Sequence, residues 1–343
     1  MAYTTIDKSS DYFETVLYTG NGGTNSISSL DFQPDWLWIK CRSDANGSNI
    51  FDVLRGTNSL HSDTNGPDAD RASDGFTSLD NDGFTLSGDG SGGSINVNSR
   101  TYAAWSWKAG TSFSNDASST SVGSIDSTGS VSTDAGFSII NVVKNNTTAH
   151  TVAHGLGAVP QMIIGKSRTG NAYRWIVYHQ AIGNTHAQYL NENFANTDSV
   201  TFWNDTSPTS SVFSLGTDNS WNGTNIFYCF AEKKGYSKFG SYVGNGNADG
   251  TFVYTGFKPA WVMVKRTDSA NDWCLYDNKR DTDNVVQDKL QPNQASAESD
   301  DTSMDFVSNG FKFRETGGNF NASGGTYIYM AFAENPFVTS TGV

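Results

Sequence analysis

The chain has 343 residues, with 22 Lys+Arg against 35 Asp+Glu and a formal net charge of −13. At ~100–200 residues per domain, that length allows two or three domains with cores of their own. So acidic a surface excludes the basic face that a polyphosphate backbone needs, and it opposes docking on anionic lipid. No nucleic-acid or membrane partner is therefore expected. Aromatic residues make up 13% of the chain, while hydrophobic residues as a whole reach only 36% and charged ones 17%. That mix is too aromatic for disorder and too poor in helix formers for a bundle; it predicts an all-β, turn-rich protein. No apolar run is long enough to span a bilayer as a helix. The opening MAYTTIDKSSDYF lacks a basic n-region and an apolar h-region, so no secretory leader is expected. Cys41, Cys229 and Cys274 lie in apolar strand-like runs and read as small buried hydrophobes of a reducing cytosol.

In chain order, the first predicted strand is Thr15–Tyr18, followed by a strand running from Pro34 through Trp36 and Trp38 to Lys40. Ile50–Asp52 comes next, with Arg55 three residues on, then Phe84/Leu86 and the aromatic strand Tyr102–Trp107. The same series recurs twice. In the second copy it is Phe137–Ile140, Pro160–Lys166, Val177–His179, Phe213/Leu215 and Phe227–Phe230. In the third it is Phe239–Tyr242, Pro259–Lys265, Leu275–Asp277 with Arg280, Phe311/Phe313 and Tyr327–Phe332. Pro to Lys is six residues each time, Pro to Asp or His 18 or 19, and Pro to the last aromatic 73, 70 and 73. Such offsets define a unit of about 95–105 residues, the size of one sandwich domain. Alternation at Phe84/Leu86 and its counterparts predicts half-solvated strands, whereas Trp36-Leu37-Trp38-Ile39 predicts a strand apolar on both faces. Asp74-Gly75, Asp82-Gly83 and Asn309-Gly310 predict hairpin turns with left-handed backbone.

The expected fold is all-β: three tandem antiparallel β-sandwich repeats of jelly-roll or lectin type. Their bounds are 1–110, 137–240 and 241–343, with a Ser/Thr/Gly-rich linker at 111–136 that carries at most a weak strand near Val122–Ile125. Only Glu232–Lys238 separates the second and third copies, which should touch. Whether the copies form a line or a closed body is left open by the sequence.

Little in the chain points to catalysis. Asp52/Arg55 and Asp277/Arg280 recur with the repeat, and His179 stands at the Asp position in the second copy, so they read as structural strand-end salt bridges. Pro34, Lys40, Pro160, Lys166, Pro259 and Lys265 are likewise structural markers. His150, His154, His179 and His186 lack zinc-ligand spacing, so no metal is expected there. The oxygen-rich turns at Asp44–Asn46 and Asp80–Asp82 could hold calcium but read better as solvated turns. Gly20–Gly23 and Gly88–Gly93 precede no helix and read as loops. No cofactor is expected. Trp203 with Asn204 and Trp221 with Asn222 sit among polar loop residues, the setting of sugar-stacking or interface aromatics, and they are the expected ligand or host contacts.

Several long segments resemble a repeat family of marine tailed phages, including phages of cyanobacteria. They are TTIDKSSDYFETVLYTGNG, FQPDWLWIKCRS, TYAAWSWKAG, SPTSSVFSLGT, EKKGYSKFGSYVGNGNADGTFVYTGFKPAWVMVKR and GGTYIYMAFAENPF. The resemblance covers nearly the whole chain. It implies a virion structural protein, tail-fibre-like, made in the host cytoplasm and not secreted, with other virion proteins as partners and assembly as a homo-oligomer. No catalytic residue comes with it. The expected role is thus a non-enzymatic tail-fibre or adhesin subunit that meets a host surface glycan or protein. Decoration of the capsid surface is the alternative, and a glycan-degrading tailspike a lesser one.

Overall fold

The computed structural model describes residues 4–88, 94–170 and 172–336; residues 89–93 of the second glycine-rich loop lie outside these. The fold is an all-β antiparallel sandwich, built as three lobes that each stack an inner sheet facing the centre against an outer one, unequal in the first two lobes and of four strands each in the third. In the first lobe the large sheet runs, in spatial order, Phe13–Thr19, Thr101–Trp107, Trp36–Cys41, Asn49–Asp52, Asn58–His61 and Ala69–Asp70. The small sheet is Asn25–Ile27, Gly83–Leu86 and Phe76–Asp80. The third lobe repeats the order with Ser237–Val243, Thr326–Ala333, Pro259–Arg266 and Cys274–Asp277. Over these lie Phe252–Tyr254, Gly310–Phe313, Ser299–Val307 and Val286–Lys289. In the second lobe Phe137–Lys144, Gly223–Phe230, Met162–Ser167, Ile176–His179, His186–Tyr189 and Thr197–Asp198 form the large sheet, under the pair His150–Ala153 and Val212–Leu215.

The central strands of each inner sheet are buried on both faces, and their alternation sorts residues between two cores. Leu37 and Ile39 face the small sheet of their own lobe, packing with Phe51, Phe76, Phe84 and Leu86. Trp36 and Trp38 face the other way, into a core shared by all three lobes with Trp107, Phe137, Ile164, Tyr228, Phe230, Trp261, Met330 and Phe332. The ring of Trp36 lies 4.4 Å from Trp107, 4.6 Å from Tyr228 and 5.8 Å from Phe137, between centroids. Phe332 lies 5.7 Å from Trp107 and 6.3 Å from Phe230. The last aromatic of each repeat thus converges on one point. The lobes close into a three-sided body around a buried aromatic centre rather than standing as separate domains in a row.

Two boundaries differ from the sequence expectation. Residues 111–136 are not a linker. Thr111–Asn115 and Ser127–Ser132 extend the second large sheet beyond Phe137–Lys144, with a helical turn at Ala117–Thr120 between them. Strand pairing runs through the backbone and tolerates small Ser and Thr side chains, while the few apolar residues, Phe113, Ile125 and Val131, anchor the segment on the lobe's core. Gly129 is needed there because a Cβ would come 2.1 Å from the Ile139 carbonyl oxygen. A boundary at 240/241 would cut the strand Ser237–Val243; the third lobe starts at Ser237. The glycines at Asp82-Gly83 and Asn309-Gly310 serve close approach rather than a left-handed turn. A Cβ on Gly83 would meet the Ile27 carbonyl oxygen at 1.7 Å, and one on Gly310 the Val253 oxygen at 2.0 Å. Cys41, Cys229 and Cys274 are all free and buried.

Candidate functional site

The polar residues that mark the repeat meet at the seams between lobes. Pro34 and Pro160 precede, and Pro259 begins, the strands in which Lys40, Lys166 and Lys265 are the last residue but one, and each lysine reaches across a seam. Lys40 donates to the carbonyl oxygens of Asn46 and Gln294, at 2.6 and 2.8 Å. Lys166 donates to Ser167 and Asn65, at 2.8 and 3.2 Å. Lys265 donates to Arg266 and Phe194, at 2.6 and 2.8 Å. The first lobe therefore holds the third, the second holds the first, and the third holds the second. Backbone bonds repeat the cycle: Glu298 N–H to Arg42 O, Asp68 N–H to Arg168 O, and Asn196 N–H to Thr267 O. Tryptophan adds Trp175 Nε1 to His61 O and Trp273 Nε1 to Tyr189 O, at 2.8 and 2.9 Å.

Burial pulls all three lysines down to about 8 because the ammonium loses water on entering the seam. An unfolded chain binds those protons more tightly than the folded one, so their penalty is full below pH 8 and relieved between about 8 and 10.5. Raising the pH from 7.5 to 9.5 is expected to raise the unfolding free energy of the wild type, read from urea denaturation, by roughly 2 kcal/mol per lysine. The triple variant Lys40→Met/Lys166→Met/Lys265→Met should lack that rise; an equal rise in both would refute the assignment.

The Asp/Arg pairs are structural, as the sequence suggests, but they are buried and bridge lobes. Asp52 and Arg55 side chains are 0% exposed, with Arg55 Nε 2.7 Å from Asp52 Oδ2. Tyr228 of the second lobe donates to the same oxygen at 2.7 Å. In the third lobe Arg280 Nε lies 2.6 Å from Asp277 Oδ2, which also accepts Trp105 Nε1 of the first lobe at 3.0 Å. His179 completes the cycle. Its Nδ1 accepts the Ala181 N–H at 3.2 Å and its Nε2 donates to the Tyr329 carbonyl of the third lobe at 3.3 Å. Burial holds its pKa down to about 4, so the ring is neutral. Met330 stands where the other lobes place Trp105 and Tyr228. With no donor on that methionine, a carboxylate in the second lobe would face no partner, and an imidazole that donates to backbone fits instead. Among the described residues, no three His, Cys, Asp or Glu side chains gather as metal ligands. Asp44 and Asp80 are instead engaged locally, by Arg100 and by Ser78 and Thr85.

The expected contact residues of the second lobe are placed differently. Trp203 and Trp221 are 2% and 0% exposed, with ring centroids 5.5 Å apart, and they pack against Tyr178 and Phe227. Trp221 Nε1 donates to the Phe202 carbonyl. They are core residues: the turn Val200–Trp203 folds back over the sheet, burying Phe202 and Trp203 and leaving Val200 and Asn204 outside. Asn204 is exposed and closes that turn in left-handed backbone, φ 53°. Asn222 ends the turn Asn219–Trp221 and is half-buried.

The accessible chemistry lies in a cleft of about 610 Å³ at the seam of the second and third lobes. Gln161, Gln180, Glu232, Lys238 and Tyr254 line it. Gln161 Oε1 accepts the Glu232 N–H at 2.6 Å, Gln180 Nε2 donates to the Phe239 carbonyl at 2.9 Å, and Lys238 pairs with Glu232 at 2.8 Å. Amide, carboxylate, ammonium and phenol thus share one concave surface. The sequence reading missed it because the cleft is assembled from two repeats. The findable signal was local: aromatics at 252 and 254 where the other copies carry small residues.

The sequence model of one family, described as "Domain of unknown function (DUF7483)", matches residues 8–336. That single match spans all three lobes. No curated protein matches the chain.

Proposed function

The chain belongs to the DUF7483 family, and from that premise we propose that it is a non-enzymatic structural protein of a tailed-phage virion, a tail-fibre-like adhesin subunit acting in host attachment. Its partners in this reading are other virion proteins, further copies of itself, and a glycan or protein of the host surface. One observation carries the structural part. The repeated Asp, Arg, Lys and His side chains, the residues best equipped for chemistry, are sealed in the seams and spent on holding lobes together. A scaffold of this kind presents loops and clefts on a rigid body. The phage and attachment parts rest on the segments quoted from the sequence.

Head-surface decoration is the second reading, favoured by the closed three-sided body, whose outline suits a threefold position of a coat lattice. Cryo-EM of purified particles carrying a tagged chain tests both. Density on the tail or its fibres is the expected result, density over capsomers would favour decoration, and absence from particles would overturn both.

A further inference from the structure

The strand Phe252–Tyr254 has exact counterparts in the other lobes, because its inward residue pairs with the phenylalanine of the same hairpin each time. Val253 pairs with Phe311, Ile27 with Phe84 and Val152 with Phe213. The residues on either side are Ser26 and Ser28 in the first lobe, both exposed, and Thr151 and Ala153 in the second, of which Ala153 is buried. The third lobe places Phe252 and Tyr254 there, 45% and 60% exposed. The fold is thus built twice without aromatics at these positions. Two large rings left about half exposed on an edge strand gain little from burial, and the small residues at the other lobes' positions show that the hairpin forms without them.

Tyr254 also lines the cleft just described, beside Gln161, Gln180 and the Glu232–Lys238 pair. The corresponding niche between the third and first lobes keeps a carboxylate and an amide, Glu334 and Asn278. It has Ala260 in place of Gln161, no exposed aromatic, and only about 170 Å³. At the seam of the first and second lobes, Val53 stands where Gln180 does. Among the described residues, the seam of the second and third lobes is the one that combines an aromatic platform, two amides and a carboxylate.

We propose that this cleft is a saccharide-binding site for a neutral pyranose unit of a surface polysaccharide. A pyranose offers a C–H face that packs on an aromatic ring, and hydroxyls that both donate and accept. The amides of Gln161 and Gln180 offer both functions to those hydroxyls, and the Glu232 carboxylate accepts. The cleft volume exceeds one sugar ring, so a chain can run along it, over Tyr254 towards Phe252. Glu232 pairs with Lys238 across 2.8 Å and Lys234 also lines the cleft, while the net charge of −13 over the whole chain opposes a polyanion, so the ligand is assigned as neutral. The assignment rests on the adhesin reading for its biological source but stands on this geometry for its chemistry.

The test is the full chain against an array of neutral and uronate-bearing oligosaccharides, with host-cell binding measured in parallel. The variant is Phe252→Ser/Tyr254→Ser, which copies Ser26 and Ser28 of the first lobe and should leave the Tm unchanged. Gln180→Ala serves as a second variant away from the strand. Binding to a neutral saccharide that falls at least tenfold in both variants is the expected result. Equal binding in wild type and variants, or binding to uronate saccharides alone, would overturn the site while leaving the adhesin reading in place. Cell binding without any saccharide binding would do the same. Failure to bind either saccharides or cells would overturn both.

Discussion

Excised from the chain, the second lobe (residues 111–236) will not hold a monomeric fold. Its large sheet turns Phe137, Ile139, Met162, Ile164, Trp175, Val177, Leu190, Ile226, Tyr228 and Phe230 to the shared core, and all are buried only because the other lobes cover them. At about 1.5–3 kcal/mol for each large apolar side chain, exposing that face forfeits roughly 15–30 kcal/mol. A domain's whole stability is about 5–15 kcal/mol. Aggregation, or association into oligomers that bury the face again, is therefore the expected outcome. A monomer by light scattering with a cooperative melt would refute the shared-core account. In the intact chain the same face makes unfolding one event. Trp36→Ala should lower a single calorimetric transition, by about 3–5 kcal/mol, rather than split off a first-lobe transition.

Asp52→Ala should cost a comparable amount for a different reason. It leaves the Arg55 guanidinium at 0% side-chain exposure with its charge unpaired and strips Tyr228 of its acceptor. Breaking one side of a buried pair costs about 3–5 kcal/mol, whereas replacing both partners by apolar residues of similar volume is often near neutral. Asp52→Leu/Arg55→Met should accordingly be more stable than Asp52→Ala alone. Chemical denaturation of the three proteins decides it, and a double variant no better than the single one would show that the pair matters for packing rather than charge. Arg55 also holds the Ile50 and Asn58 carbonyls, at 2.9 and 3.0 Å, so recovery should be partial.

Much of this architecture was legible in the residues, but not where lobes meet. Trp36-Leu37-Trp38-Ile39 announced a strand apolar on both faces; that the tryptophan face belongs to a core common to three repeats follows from the third dimension alone. The Lys, Asp and Arg markers were visible at fixed offsets, yet their partners are 71 to 254 residues away in other repeats, beyond the reach of spacing arguments. The segment 111–136 misled because composition reports side chains, and two strands there are held by backbone pairing with few apolar anchors. Trp203 and Trp221 misled for the converse reason: polar neighbours in sequence surround rings that fold inward. The cleft around Tyr254 was hidden because half of its wall belongs to another repeat.

The closure of the ring has a mechanical consequence. Backbone crosses from the first lobe to the second and from the second to the third, but the first and third are joined by contacts alone. Those contacts include Lys40 to Gln294, Ser62 to Pro292, Trp105 to Asp277, and Arg42 to Glu298 and Asp288. Under tension this is the joint that can part without stretching the chain, so the molecule behaves as a clasp with two hinges and one latch. The latch also holds the partly exposed pairs of Arg42 with Glu298 and Asp288, and since no backbone backs it up, screening of those pairs by salt loosens it first.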